Sequence, residues 1–559
     1  MMSNKVIIYQ VLPRVFGNVN SNPISNASFK INGSGKLNDF TVEVLNKIKE
    51  LGCSHIWFTG IIRHATKTAF KEDGIKANHP HIVKGEAGSP YSITDYYDIS
   101  PELSVNVPKR VEEFKNLVKR VHSCGLKVII DFIPNHLSRE YHSLKKPLNI
   151  SDFGENDKKD YPFHPMNNFY YLLDQSFKSP LNHKSQELPT AVPSYSEFPA
   201  RVTGNDCITA QPSINDWFET VKLNYGVDIF NFNNKYFQPI PNTWLKMKDV
   251  LFYWLKMGVD GFRCDMAGMV PEEFWKWIIE SVKKEFKNSL FIGELYEKER
   301  YDSFINYCKF DILYDKVGLY DTLKSIVKKQ RSASEITSCW QSLNGIENKM
   351  LNFIENHDEV RVASPFFAGS PLNAIPALTV ALMLNNAPFM IYFGQELGEP
   401  GMDHEGYSGK DGRTSIFDYW SIKSVREWLL NNKPLVIREI YKKLLTIAIN
   451  EEAIFNGDRY DLQYANNFSL SYKPNSHYSF VRKASNSLII ITVNFDKNLS
   501  TISLNLPREM FSYFQIANDN LCKSQNLLTG EKRTLLLSSK VKFNMQLEDY
   551  GVGIIKLLL

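Results

Sequence analysis

The sequence lacks the cysteine patterns that mark metal ribbons, redox motifs and disulfide-stapled folds. Its seven cysteines are scattered, odd in number and without a CxxC or histidine-paired spacing; they lie at positions 53, 124, 207, 264, 308, 339 and 522. This distribution is typical of buried free thiols in a reducing compartment.

Long apolar runs are also missing. The segment VIIYQVL near the start is too short for the apolar region of a signal peptide and lacks a small-residue cleavage site. No run of about 18 apolar residues, the length that a membrane helix needs, occurs elsewhere. We therefore expect no membrane association and a cytoplasmic location.

Neither sign of charge is in large excess. Lysine and arginine number 65 against 61 aspartates and glutamates, with no basic block, RNA-binding signature or charged tail. Nucleic acid is therefore not an expected partner. The composition is 43% hydrophobic and 13% aromatic. That aromatic share fits a large core and would also suit a sugar-stacking cleft, so it does not separate the two.

The stretch GVDGFRCD, residues 258–265, has the pattern of a short buried strand that ends in a carboxylate. Because side chains alternate along a strand, Arg263 and Asp265 point the same way, and the guanidinium favours the ionised carboxylate. FIGELY repeats the pattern and ends at Glu294, and LNFIENHDEVR leads to Asp358. Taken alone, the Arg–Asp pair fits a structural ion pair equally well. Three strands that each end in a carboxylate predict one shared mouth.

Strands and amphipathic helices alternate through most of the chain. Eight strands are expected, near residues 6, 55, 127, 261, 291, 310, 351 and 389. Eight parallel strands with intervening helices form a (β/α)8 TIM barrel, whose chemistry lies at the carboxyl ends of the strands. Alternation stops after the third strand, in a segment too long for an ordinary connection, which predicts an inserted subdomain. From about residue 467 the apolar pattern has period two and predicts a C-terminal antiparallel β-sandwich.

The strand-end strings also carry a family resemblance. Four of them, in order, resemble the motifs of the α-amylase family, glycoside hydrolase family 13: DFIPNH (131–136), GFRCD (261–265), GELY (293–296) and ENHD (355–358). Three supporting strings are PYSITDY, VKLNY and IYFGQE. VKLNY is similar in style to a string of the neopullulanase and cyclomaltodextrinase branch, whose members act on short dextrins. The resemblance covers essentially the whole chain.

This resemblance implies a domain plan. Residues 1–136 and 223–455 would form the catalytic barrel, residues 137–222 the inserted domain B, and residues 456–559 the all-β C-terminal domain.

The resemblance also implies a retaining hydrolase that cleaves α-1,4 links of maltodextrins. Asp265 would be the nucleophile, Glu294 the general acid and base, and Asp358 a stabiliser of the oxocarbenium-like transition state. A retaining glycosidase needs two carboxyls about 5 Å apart, one ionised to attack and one protonated to release the leaving sugar.

Four further residues would bind the substrate. His136 and His357 would hydrogen-bond hydroxyls of the sugar being cleaved, Tyr91 would stack against its ring, and Arg263 would hold the nucleophile ionised. Taken singly, such histidines and tyrosines are more often structural. Their shared location at strand ends favours the functional interpretation.

The sequence departs from the family pattern at three places. Gly268 and Met269 stand where relatives often carry Lys-His, which touch the leaving-group side. Asn135 occupies a position that binds calcium in many relatives, but a single amide is weak support for Ca²⁺. The first loop is rich in Asn where metal-binding relatives carry Asp, and a solvated loop is the expectation there. We assign no metal and no required cofactor.

Two alternatives stay open at this point. A maltodextrin transglycosylase would use the same covalent intermediate and let a sugar intercept it instead of water. A non-catalytic glucan-binding relative is disfavoured by the intact Asp265, Glu294 and Asp358. The expected partner is an α-glucan oligosaccharide, and the oligomeric state is open.

Overall fold

The computed structural model describes residues 5–181, 192–431 and 435–559. Its central element is a sheet of eight parallel strands, labelled β1 to β8 here. They are Ile7–Val11, His55–Phe58, Lys127–Phe132, Gly261–Cys264, Leu290–Gly293, Ile312–Tyr314, Met350–Leu351 and Phe389–Tyr392.

The eight strands close into a barrel. Neighbours in the sheet follow the order β7-β6-β5-β4-β3-β2-β1-β8, and β1 pairs in parallel with both β2 and β8. A single parallel bridge between Asn352 and Phe389 joins the end of β7 to β8. The predicted (β/α)8 barrel is confirmed, and the strand ends that carry the candidate residues share one rim.

Helices follow the strands and pack on the outside of the barrel. In Arg110–Ser123, the buried Phe114, Leu117 and Val121 recur at helical spacing and face the sheet. The described α-helices are Pro13–Phe16, Phe29–Asn32, Val42–Lys49, Arg110–Ser123, Asn242–Lys256, Glu272–Glu285, Tyr301–Asn306, Asp321–Val327, Glu335–Gln341, Ile375–Met383, Lys423–Asn431, Val436–Asn450, Glu452–Phe455, Gln463–Asn466 and Arg508–Phe514.

Short antiparallel strands lie in the connections after β2 and between β3 and β4. One pair, Ile62–His64 and Ile93–Ile99, follows β2. Between β3 and β4 lie His136–Ser138, Tyr171–Leu172, Ala200–Arg201, Thr220–Lys222, Val227–Asp228 and Asn234–Lys235. This insertion has a small apolar core of its own, which includes Tyr170, Phe177 and Phe218. The residue bounds of the three domains stay a prediction.

The C-terminal part is antiparallel, as predicted. Its strands, β9 to β16, are Asp458–Asp461, His477–Ala484, Ser487–Asn494, Ser500–Leu504, Asn520–Asn526, Lys532–Leu537, Phe543–Leu547 and Val552–Leu558. Six form one sheet in the order β9-β10-β11-β16-β13-β14, and β12 pairs with β15.

Both faces of the larger C-terminal sheet are buried at β11. Ile489 and Ile491 belong to the same apolar core as the barrel, whereas Leu488 and Ile490 belong to a second core inside the C-terminal part. The alternation follows from the period-two geometry of a strand.

Among the described residues, no helix combines the length and the apolar character needed to cross a membrane.

Candidate active site

The predicted carboxylates stand at the rim of the barrel. Asp265 and Glu294 directly follow β4 and β5, and their backbone N–H groups donate to Phe132 and Cys264, at 2.9 and 3.0 Å, so the strand geometry carries through to both residues. Asp358 lies seven residues after the end of β7 at Leu351. The positions of both buried carboxylates are therefore fixed by neighbouring strands.

Arg263 connects the two carboxylates from beneath. Its Nη1 lies 2.7 Å from Asp265 Oδ1, and its Nη2 lies 2.8 Å from Glu294 Oε2. Its Nε donates to the Tyr314 hydroxyl at 3.1 Å. Aromatic rings of Trp57 and Tyr91 lie 5.4 Å from the guanidinium carbon. The planar, always-charged fork thus sets the separation and orientation of both carboxyls.

Glu294 is held at both oxygens. Oε2 accepts the Met266 backbone N–H at 2.7 Å in addition to the Arg263 contact, and Oε1 accepts the Tyr296 hydroxyl at 2.6 Å. Met266 adopts a left-handed conformation with φ of 43°. This conformation is costly for a residue with a side chain, and such strain clusters at functional sites. Here it aims the Met266 N–H at the carboxyl.

Opposing effects act on the ionisation of Asp265. Burial raises the pKa of the Asp265 carboxyl well above its ordinary value, with a further contribution from the Glu294 charge, and the Arg263 guanidinium offsets only part of this rise. Arg263 therefore favours the ionised form, as expected, but does not outweigh burial. Burial likewise raises the pKa of Asp131, to about 7, although Arg263 lies 3.7 Å away. Several carboxyls thus compete for one guanidinium, and ionisation of one makes the ionisation of the next more costly.

His357 lies behind Tyr91. Its Nε2 is hydrogen-bonded to the Tyr91 hydroxyl and lies 3.2 Å from Asp358 Oδ2, and its Nδ1 lies 2.7 Å from Gln10 Nε2. The Tyr91 and His357 rings stack with centroids 5.5 Å apart. Burial lowers the pKa of His357, so the imidazole is neutral at pH 7.

His136 opens the strand that leaves the barrel rim. The His136 and Trp217 rings pack with their centroids 5.1 Å apart. Gly204 of the insertion lies so close that a Cβ added to it would be 2.9 Å from the Cβ of His136. Burial, followed by the charges of Lys222 and Lys84, lowers the pKa of His136 to about 3. This imidazole is also neutral at pH 7 and suited to hydrogen-bond a hydroxyl.

The rim residues enclose a pocket of about 250 Å³. Its lining includes Tyr91, His136, Asp265, Glu294 and Asp358. The other two predicted residues, Arg263 and His357, are buried and contact this set from behind. The structure therefore brings all seven predicted residues together.

Sequence reasoning missed several pocket residues. These are Lys84, Trp217, Glu219, Tyr296 and Phe417. Lys84 Nζ lies 3.0 Å from Glu219 Oε2. The sequence does carry a signal for Tyr296, since this residue ends the GELY string that contains Glu294. The others come from long connections, where no periodic pattern indicates which side chains point into the site.

The described part of the chain contains no group of three or more His, Cys, Asp or Glu side chains placed to hold a metal ion. Most of the Asn-rich first loop is exposed or half-buried, as expected of a solvated loop, whereas Asn18 and Asn32 are buried. Asn18 and Asn32 donate their amides to the carbonyls of Trp420 and Tyr419, at 2.9 and 2.7 Å. These side chains tie the loop to the segment after β8.

The family profile described as the alpha amylase catalytic domain matches residues 10–433. The chain belongs to the α-amylase family. The match covers β2 to β8 in full and the end of β1. It also covers every candidate site residue. This assignment identifies the chain as an enzyme of the α-amylase type.

Curated relatives carry several names within the α-amylase family. Alpha-amylase 3 of Dictyoglomus thermophilum is 25% identical over 68% of this chain and 71% of its own length. A cyclomaltodextrinase of Thermoanaerobacter pseudethanolicus is 22% identical over 83% of this chain and 64% of its own length. Neopullulanase 2 of Thermoactinomyces vulgaris is 20% identical over 90% of this chain and 72% of its own length.

Solved structures of α-amylase-type proteins share the fold. A maltogenic alpha-amylase from Thermotoga neapolitana superposes with a TM-score of 0.63 at 18% identity, covering 100% of this chain and 99% of that one. A debranching enzyme from Nostoc punctiforme gives 0.65 at 19% identity, covering 100% and 98%. At this identity the likeness concerns the fold, including the C-terminal sheet.

Proposed function

We propose that the chain is a retaining glycosidase that cleaves α-1,4-glucosidic bonds of maltodextrins by double displacement. The observation that carries this proposal is the arrangement around Arg263, whose two Nη atoms bind Asp265 and Glu294 at 2.7 and 2.8 Å. Two carboxyls held side by side at one pocket suit a nucleophile and a general acid.

In the first step, Asp265 attacks the anomeric carbon as Glu294 gives its proton to the glycosidic oxygen. The bond to the leaving sugar breaks and an ester between Asp265 and the glucosyl unit forms. Since Arg263 holds Oδ1 of Asp265, we assign the attack to Oδ2. In the second step, Glu294 removes a proton from water as the water oxygen attacks the anomeric carbon. The ester bond to Asp265 breaks, so Asp265 is again a carboxylate and Glu294 is again protonated.

The positions of the remaining residues support a sugar-binding role for the pocket. Tyr91 offers a ring whose hydroxyl is fixed by His357, and the neutral His136 imidazole suits a hydroxyl partner. Asp358 lines the same pocket, and its side chain is 41% exposed, so it faces the space that the sugar would fill. A negative charge there stabilises the oxocarbenium-like transition state.

Short maltodextrins are the proposed substrates. The relatives include a cyclomaltodextrinase and a neopullulanase. On the leaving-group side, Gly268 and Met269 provide neither the cation nor the imidazole of a Lys-His pair. The predicted cytoplasmic location would supply imported dextrins or glycogen fragments in place of starch granules.

Two active-site variants test the assignment. Asp265→Asn and Glu294→Gln change a chemical role with little change in volume, so each should abolish turnover of maltoheptaose while the thermal unfolding transition persists. Near wild-type activity of Asp265→Asn would overturn the proposed nucleophile.

The stereochemistry of the product tests the double displacement. Proton NMR in the first minutes should show the α anomer of the new reducing end, because two inversions give retention. Initial formation of the β anomer would rule out the mechanism. Chromatography of the same reactions with excess maltose separates hydrolysis from transglycosylation, since transfer yields chains longer than the substrate.

A further inference from the structure

A buried lysine stands at the junction of three segments near the catalytic pocket. The Lys222 ammonium lies 2.7 Å from Asn135 Oδ1, 2.7 Å from Asp206 Oδ1 and 3.4 Å from the Met269 carbonyl oxygen. The Lys222 side chain is only 8% exposed. Burial lowers the pKa of the ammonium, and the Asp206 carboxylate acts in the opposite direction.

The three oxygen ligands come from parts of the chain that are distant in sequence. Asn135 follows β3, Asp206 lies in the insertion and Met269 lies in the loop after the proposed nucleophile. The Asn135 side chain is fixed further, because its amide nitrogen donates to the Gly204 carbonyl at 2.8 Å. A single positive charge therefore joins the barrel to the insertion.

This arrangement does not fit a calcium ion. Calcium takes about six to eight oxygen ligands at 2.3–2.6 Å. Here the oxygens of Asn135, Asp206 and Met269 converge on a nitrogen that carries a positive charge, and a second cation among them would be repelled. The residues that would hold the metal are already engaged by Lys222.

We propose that the Lys222 ammonium occupies the place beside Asn135 where, by the family resemblance, many relatives bind calcium, and that it acts as a built-in positioning cation for the catalytic pocket. Two routes connect the ammonium to the pocket. Asn135, which binds it, lies with Nδ2 3.2 Å from Nδ1 of His136, a pocket residue. Met269, whose carbonyl oxygen faces it, ends the loop that begins with Met266, and the Met266 N–H binds Glu294. Loss of the cation should therefore loosen His136 and Glu294.

The charge replacement is testable by thermal unfolding, with calcium and a chelator as the probes. The melting temperature of the wild-type chain should be unchanged by EDTA and by millimolar CaCl₂. Lys222→Ala removes the ammonium and leaves three oxygens without a cation, so the melting temperature should fall by about 2–4 °C, a small shift because the unfolding entropy of a chain of this length is large. Millimolar CaCl₂, but not MgCl₂, should recover part of the loss, because calcium tolerates irregular oxygen sites.

A matched control separates this effect from simple loss of a buried lysine. Lys5 is also buried, and among the described residues its ammonium donates to the Asn385 carbonyl at 2.8 Å. Lys5→Ala should lose stability without responding to calcium. In the double variant Lys222→Ala/Asp206→Asn, calcium should no longer raise the melting temperature. If Lys222→Ala fails to fold, Lys222→Met keeps the apolar stem and should show the same fall.

Turnover reports the positioning role. At a temperature where Lys222→Ala is folded, its kcat on maltoheptaose should fall about tenfold and recover with calcium, whereas Lys5→Ala should keep wild-type kcat. A wild-type chain stabilised by calcium and destabilised by EDTA would overturn the proposal, as would a Lys222→Ala variant whose stability ignores calcium. The thermal measurements need no activity, so their outcome is independent of the proposed reaction.

Discussion

Replacing Arg263 by lysine tests how much of the catalytic arrangement depends on one guanidinium. Arg263 donates to Asp265 and to Tyr314, at 2.7 and 3.1 Å, and lies 2.8 Å from Glu294. A lysine ammonium keeps the charge but lacks the planar fork, so it can serve one carboxylate and leaves the other without its partner.

The expected loss follows from these contacts. A hydrogen bond to a charged group contributes about 1.5–3 kcal/mol, and Arg263→Lys removes or misdirects about two of them. The sum, about 3–6 kcal/mol, corresponds to a fall of roughly 10²- to 10⁴-fold in kcat/KM on maltoheptaose. The assay is initial-rate release of reducing ends, with thermal unfolding measured on the same samples.

Arg110→Lys is the matched control. Arg110 is also buried and binds Asp98 through two hydrogen bonds of 2.7 Å, but it lies at the start of a helix outside the barrel. Its variant should lose stability and keep kcat/KM within about twofold. An Arg263→Lys enzyme with more than a tenth of wild-type activity would refute the reasoning, and equal losses in both variants would trace the effect to folding.

Three further outcomes are expected. Tyr296→Phe deletes the hydroxyl that binds Glu294 Oε1 at 2.6 Å, so kcat should fall about tenfold with little change in KM; an unchanged kcat would exclude a role for the phenol. Asp131 has a pKa of about 7 in the folded chain against 3.8 for the free group, so the folded state binds more protons and the free energy of unfolding falls as pH rises from about 4 to 7. Asp131→Asn should remove that fall, and melting temperatures that track the wild type between pH 5 and 8 would contradict it. With Gly268 and Met269 on the leaving-group side, kcat/KM should be higher on maltotriose to maltoheptaose than on soluble starch, and equal values would mean that another contact compensates.

The barrel could be predicted from the sequence because the patterns that indicate its strands and helices each lie within a short stretch of chain. Each strand is a short apolar run, each intervening helix has its own periodicity, and Asp265 and Glu294 directly follow their strands. Parallel strands place their carboxyl ends on one rim, so the convergence of these residues followed from topology alone.

The contacts that complete the site depend on distances in sequence that no local pattern encodes. Tyr91 and His357 are 266 residues apart, and Lys222 and Asn135 are 87 apart. Lys222 stands in VKLNY, a string that resembles a family motif but does not reveal its ion pair with Asp206, which depends on the path of the insertion. Loops have no periodicity, so their side chains could not be assigned to the pocket.

The double burial of β11 makes the C-terminal sheet part of the folding unit of the enzyme. Ile489 and Ile491 on one face pack with the barrel, and the fully buried Arg482 donates to the Leu384 carbonyl just before β8, at 3.0 Å. Detaching the sheet from the barrel would expose an apolar face and leave the Arg482 charge without the Leu384 carbonyl. The free-energy cost is too high for such an intermediate to be populated. Heating should therefore melt barrel and sheet in one calorimetric transition, and a chain that ends before Asp458 should fail to fold.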